Sequence, residues 1–265
     1  MSAQVVKCSI SGGIATVTLA NPERRNALSL QMFAELGAAL SELEKSVDVR
    51  VIVLTGSGSA FCVGADLAAA PNVRSLQGDS IEGDTSRLRA STRVAEQLYR
   101  MPQPTVAAIN GPCAGAGLSL AAAADFRIAS DTAVFNTAFL SAGLSGDLAG
   151  IWFVNSILGG ARARELFMTP GKLDAVRAEE LGLVSVVVPA NGLGKAVGEL
   201  ADRLAASAPV AMRAMKQNLL QAQVASLGDY VGAEVDRMVH SFHTEDAKEA
   251  SSSFLQKRPP VFTGR

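Results

Sequence analysis

The sequence predicts an α/β fold, and three observations carry the prediction. Short runs rich in β-branched residues and closed by glycine or asparagine, "VRVIVLTG" (49–56) and "PTVAAIN" (104–110), read as strands covered on both faces. Other stretches have apolar residues three and four apart, the period of a helix with one buried side. The two signals then alternate, with "GAGLSLAAAA" as helix, "FRIA" as strand and "LAGIWFVNSIL" as helix.

From the start of the chain, residues 4–11 and 14–19 alternate apolar and polar around Gly12-Gly13, a hairpin signal. Ser29 is placed to cap a helix from about Leu30 to Ser46, with Met32, Phe33, Leu36, Leu40 and Leu43 on one face. Residues 71–86 are polar and aperiodic and read as a mobile loop. From about Asn191 the strands stop, and helical periodicity continues through "LGKAVGELADRLAAS", "VAMRAMKQNLLQA" and "YVGAEVDRMVHSF". The expected organisation is a core domain over 1–190 and a helical region over 191–265 that packs on the core or on a neighbour. No internal repeat is evident.

Composition narrows the function. Hydrophobic residues make up 48% and charged ones 18%, with one Trp and two Tyr, so the interior is built from Ala, Val, Leu and Ile in close contact. A net charge of −1 provides no field to gather nucleic acid or an anionic membrane. Cys8, Cys62 and Cys113 lack CxxC spacing, which argues against disulfides or structural zinc; with no apolar export segment at the start, a reducing cytoplasm is expected. The uncharged run from Met101 to Ala124 is interrupted by Pro102, Pro104, Asn110 and Pro112 and reads as buried rather than membrane-spanning. Phosphate-cradling glycine motifs are incomplete, and no metal-ligand motif occurs. The only histidines, His240 and His243, stand in the helical tail, far from any nucleophile elbow.

Three stretches together resemble the crotonase superfamily of enoyl-CoA hydratases and isomerases: "SAFCVGADL" (59–67), "NGPCAGAGLSLAAAADFRIA" (110–129) and "AGLSGDLAGIWFVNSILGGARARELFMTP" (142–170). The likeness continues through "AEELGLVSVVVP" and the closing "FLQKRPPVFTGR", covering nearly the whole chain. It implies a ClpP/crotonase-like spiral of ββα units with a C-terminal helical trimerisation region, assembled as a homotrimer or a pair of trimers. It also implies an acyl-CoA thioester as substrate, with coenzyme A entering as part of that substrate and no separate cofactor.

The resemblance assigns the main-chain amides of Ala65 and Ala116 as donors to the thioester oxygen, with Ala27, Cys62, Gly64, Leu67 and Gly115 around them. Small residues suit that task, because a carbonyl reaches two backbone N–H groups only between bare walls, and a helix N-terminus adds a favourable dipole. Relatives that hydrate enoyl-CoA use two glutamates; the matching positions here are Ser119 and Phe139, which argues against ordinary hydration. Asp147 matches the single aspartate of family isomerases, and one carboxylate suffices to move a proton between two carbons. An apolar wall of Phe139, Leu144 and Trp152 would raise its pKa. Two other readings of Asp147 stay open: an N-cap before an apolar helix, and the nucleophile of a family dehalogenase, although no histidine stands nearby. At the mouth of the cleft, Arg24, Arg25, Lys257 and Arg258 resemble the family's cations for the nucleotide phosphates, with Phe254 and Phe262 against adenine or pantetheine. Asp66 reads as a loop carboxylate bonded to backbone. The expected activity is isomerisation of an enoyl-CoA; a non-catalytic acyl-CoA carrier and a weak hydratase are the alternatives.

Overall fold

The computed structural model describes residues 4–66, 78 and 80–265. β1 (Val6–Ser11) and β2 (Ile14–Leu19) form the expected hairpin, turning through Gly12 and Gly13. The Ser29 hydroxyl accepts the Met32 N–H at 3.1 Å and caps α1 (Leu30–Lys45), which buries the five predicted apolar residues. Then come β3 (Val51–Gly56), α2 (Ile81–Arg100), β4 (Thr105–Ile109), β5 (Cys113–Ala114), α3 (Ala116–Ala123), β6 (Phe126–Ser130), β7 (Val134–Asn136) and α4 (Gly150–Met168). The chain continues through β8 (Leu173–Asp174), α5 (Ala175–Leu181) and β9 (Val186–Val188) into α6 (Leu193–Ala205), α7 (Pro209–Ala222), α8 (Leu227–Phe242) and α9 (Glu245–Gln256).

The strands form a six-stranded sheet in the order β1-β2-β3-β4-β6-β9, parallel from β2 onward, and a small sheet in the order β5-β7-β8 that Cys62 extends by a bridge to Cys113. Each turn of the chain adds a strand to the large sheet, a short strand or bridge to the small one, and a helix. Three such turns are β3, Cys62 and α2; β4, β5 and α3; β6, β7 and α4. This is the ββα spiral that the resemblance implied.

The uninterrupted apolar runs of β3 and β4 are explained by burial on both faces. Ile52, Leu54, Ala107 and Ile109 face the main core with α1 to α4, whereas Val51, Val53, Val106 and Ala108 face Leu193, Val197, Ala201 and Ala205 of α6. The loop expected at 71–86 needs correction. Residues 71–77 and 79 lie outside the described residues, but 81–86 is helix, the start of α2, where Ser80 accepts the Gly83 N–H at 3.0 Å. Glu82 and Asp84 there favour a helix N-terminus while hiding its apolar period. Among the described residues no helix is long and apolar enough to cross a membrane.

α7 is pinned to the sheet by a buried cation. Lys216 Nζ donates to Asp125 Oδ2 at 2.7 Å and to the Gln103 carbonyl at 3.0 Å, and the same Oδ2 accepts the Thr105 N–H at 2.7 Å. Burial lowers the Lys216 pKa while Asp125 opposes that shift. Lys216→Met should leave the carboxylate without its counter-ion and cost about 3 kcal/mol, read as a lower urea midpoint. An unchanged midpoint would show that the pair contributes nothing net.

Candidate active site

The loops after β3 and β4 leave the carboxyl ends of adjacent parallel strands, where α/β folds concentrate their chemistry. Asn26, at φ 56°, binds the first loop: its amide donates to the Ser57 carbonyl at 2.9 Å and the Ala60 carbonyl at 2.8 Å, and its Oδ1 accepts the Asn21 N–H at 2.9 Å. Asn110 Nδ2 adds a bond to the Gly58 carbonyl at 3.0 Å. Further along, Leu28 N–H donates to the Gly64 carbonyl at 2.7 Å and the Leu28 carbonyl accepts the Asp66 N–H at 3.4 Å, a parallel bridge centred on Ala65. That geometry turns the Ala65 N–H away from Leu28.

The second loop ends at Ala116, the first residue of α3, whose N–H lies beyond reach of an intrahelical acceptor. Among the described residues neither it nor the Ala65 N–H has a hydrogen-bond partner. The two loops touch: a Cβ on Gly64 would stand 3.0 Å from the Ala114 carbonyl and 3.3 Å from the Ala116 nitrogen. Gly115 turns the chain into α3 at φ 52°, ψ −125°, a conformation open essentially to glycine alone. On Gly117 a Cβ would stand 2.2 Å from the Cys62 carbonyl, so the bare helix edge is required for that approach. The small residues thus bring Ala27, Cys62, Gly64, Ala65, Gly115 and Ala116 into one neighbourhood. Burial raises the Cys62 thiol to about 12, which leaves it protonated.

Asp147 lies beside this neighbourhood, close enough for its charge to raise the Cys62 pKa further. It lines an open cleft of about 470 Å³ with Ser145, Gly146, Ile151, Trp152 and Asn155. Burial pushes its carboxyl up to about 6. Oδ1 is buried and has no hydrogen-bond partner among the described residues. The N-cap reading is thereby corrected: α4 starts at Gly150, its cap is Ala149, and no side chain caps it. Only the Asp147 main-chain carbonyl serves the helix, accepting the Gly150 N–H at 2.9 Å. Leu148 and Ala149 follow at φ 48° and 57°, two successive left-handed residues that cost roughly 1–2 kcal/mol each. The fully buried Leu148 side chain holds that turn in place.

The other expected residues divide. Trp152, 43% exposed, lines the cleft and meets Tyr99 edge-on at 5.3 Å. Phe139 turns inward and stacks on Phe167 at 6.4 Å, and Leu144 is absent from the cleft lining, so of the apolar wall only Trp152 borders it. Ser119 is 1% exposed and faces main-chain carbonyls rather than the cleft. Asp66 takes a side-chain partner instead of backbone: Arg24 donates to its two oxygens at 2.5 and 3.3 Å. Arg25 is exposed beside that pair. Leu67 lies outside the described residues. Phe254, 83% exposed, and Lys257, which ends α9, form no contact with these loops in the described hydrogen bonds and ion pairs. The tail after them is tied to the amino end of β3, away from the strand ends that carry the two loops, where Arg50 donates to the Phe262 carbonyl at 2.7 Å, and Arg258 is occupied by Glu249 at 2.6 and 2.8 Å. The sequence reading missed Asn26, Asn110 and Tyr99. For Asn26, a polar residue tolerant of positive φ directly after two arginines was the available signal.

Comparison with known proteins agrees with this geometry. Residues 9–265 match the family model described as enoyl-CoA hydratase/isomerase. The chain is 33% identical over 258 residues to 1,2-epoxyphenylacetyl-CoA isomerase of Escherichia coli, covering 97% of both chains. It is 30% identical over 257 residues to trans-2-decenoyl-[acyl-carrier-protein] isomerase of Streptococcus mutans, again covering 97% of both. The crystal structure of an enoyl-CoA hydratase from Bacillus anthracis superposes with a TM-score of 0.92 at 29% identity, over 99% of this chain and 100% of that one. The chain belongs to the enoyl-CoA hydratase/isomerase family, and it is an acyl-CoA-binding enzyme of that family.

Proposed function

We propose that the enzyme is an enoyl-CoA isomerase that moves a C=C bond into conjugation with the thioester carbonyl. The Asp147 carboxylate takes a proton from the carbon next to the carbonyl. The C–H electron pair moves into the carbonyl, and the enolate oxygen lies between the Ala65 and Ala116 N–H groups. Asp147 then returns the proton two carbons along as the double bond shifts. The observation that carries this reading is the Asp147 carboxyl itself, half-buried at the cleft, raised to about 6 and with its buried Oδ1 free of hydrogen bonds beside the α3 N-terminus. Two relatives are named as isomerases, which supports the same choice.

Arg25, with Arg24 held by Asp66, is proposed to meet the nucleotide phosphates. The proposed assembly is a trimer or a pair of trimers, supported by Val231, Val235, Met238, Val239 and Phe242, exposed along one stripe of α8. Incubation with a 3-enoyl-CoA, followed by the absorbance of the conjugated thioester, tests the activity. A rise supports isomerisation, and one that decays as water adds supports isomerisation followed by hydration; no change with 3-enoyl-CoA but loss of absorbance from a 2-enoyl-CoA supports a hydratase, and tight binding with no change in either supports a carrier.

A further inference from the structure

We infer that Ser119 is a positioning residue that holds the strained Asp147 turn against the N-terminus of α3; its bearing on turnover rests on the proposed role of Asp147. The Ser119 hydroxyl reaches two main-chain carbonyls, that of Asp147 at 3.2 Å and that of Gly115 at 3.4 Å. Gly115 immediately precedes the Ala116 donor, so one buried hydroxyl stands between the two halves of the site. With a single proton it donates to one carbonyl at a time, and the shorter contact is to Asp147.

The packing around it leaves no alternative occupant of that space. A Cβ on Gly150 would lie 2.1 Å from Ser119 Oγ and 2.9 Å from its Cβ, so the first turn of α4 rests directly on the serine. A longer side chain at 119 would have to lift α4 and the preceding turn with it. The Asp147 carbonyl has two donors, the Gly150 N–H and the Ser119 hydroxyl, which act with the buried Leu148 side chain against the strain of the two left-handed residues that follow. Ser119 touches neither the cleft nor Asp147's carboxyl and acts through backbone position alone. The titratable group facing Asp147 from the adjoining loop is the Cys62 thiol, which stays protonated.

The test compares wild type, Ser119→Ala, Ser119→Cys and Asp147→Asn by two readouts. In protein carrying carboxyl-labelled aspartate, NMR follows the titration of Asp147, identified by the signal missing from Asp147→Asn. Turnover of a 3-enoyl-CoA gives kcat and KM. Ser119→Ala should lower the Asp147 midpoint toward the ordinary carboxylate range, as the loosened turn admits water, and reduce kcat roughly 10- to 100-fold with little change in KM. Ser119→Cys, a weak donor of similar size, should recover part of both. Coincident midpoints in wild type and Ser119→Ala overturn the inference, whatever the activity. If the midpoint moves but Asp147→Asn turns over like wild type, the positioning stands and the acid/base role of Asp147 falls.

Discussion

Asp147→Asn is expected to reduce isomerisation by about 10²- to 10⁴-fold and, at neutral pH, to make the protein harder to unfold. The two effects share a cause. Burial without a hydrogen bond raises the carboxyl from 3.8 to about 6. Between those values the native protein binds more protons than the unfolded chain, so stability falls as pH rises from about 4 to about 6 and stays lower above. A shift of about two units corresponds to roughly 3 kcal/mol, which asparagine removes because it carries no charge to desolvate. Catalysis runs the opposite way. In the proposed mechanism the carboxylate is the base, so kcat/KM should climb through pH 6 and level off near neutrality. Urea unfolding at pH 4.5 and pH 7.5, beside a pH–rate profile, checks both signs. An Asp147→Asn protein that keeps its rate excludes the base; one that keeps the wild-type stability at pH 7.5 shows that the carboxyl is solvated.

The fold was legible where secondary-structure periods were long enough to register. α1 and its cap, the β1–β2 hairpin and the doubly buried β3 and β4 follow directly from residue spacing. The repeating ββα turn did not, because its second strands are two or three residues long in β5 and β7 and a single bridge at Cys62, too short for any alternation to show. The site divides the same way. Bare backbone at Gly64, Gly115 and Gly117 was visible as composition, and the family resemblance supplied the proposed donors. The geometry of Asp147 was hidden, since "GDLAG" reads as a capped helix start, and only the left-handed Leu148 and Ala149 move the helix two residues on. Phe139, Phe254 and Lys257 were assigned by position in a motif, and nothing in the sequence reported which way those side chains turn.

Ala116→Pro is expected to remove one of the two proposed donors while leaving α3 intact, lowering kcat by roughly 100- to 1,000-fold. Residue 116 is the first of the helix, the position at which proline is best tolerated because its N–H takes no part in the helical ladder. Gly115 ahead of it, at ψ −125°, stays clear of the compact conformation that a following proline opposes. The pyrrolidine ring places a carbon where the amide hydrogen pointed, so the thioester oxygen loses a donor and meets a steric obstacle; KM should rise as kcat falls. The unfolding free energy from urea titration should remain within about 1 kcal/mol of wild type, because no buried hydrogen bond is broken. A proline variant that turns over within a few-fold of wild type would mean that the enolate oxygen is held elsewhere. The Ala65 amide would then lose its proposed partner, and the bare walls around Gly64 and Gly117 would need another explanation.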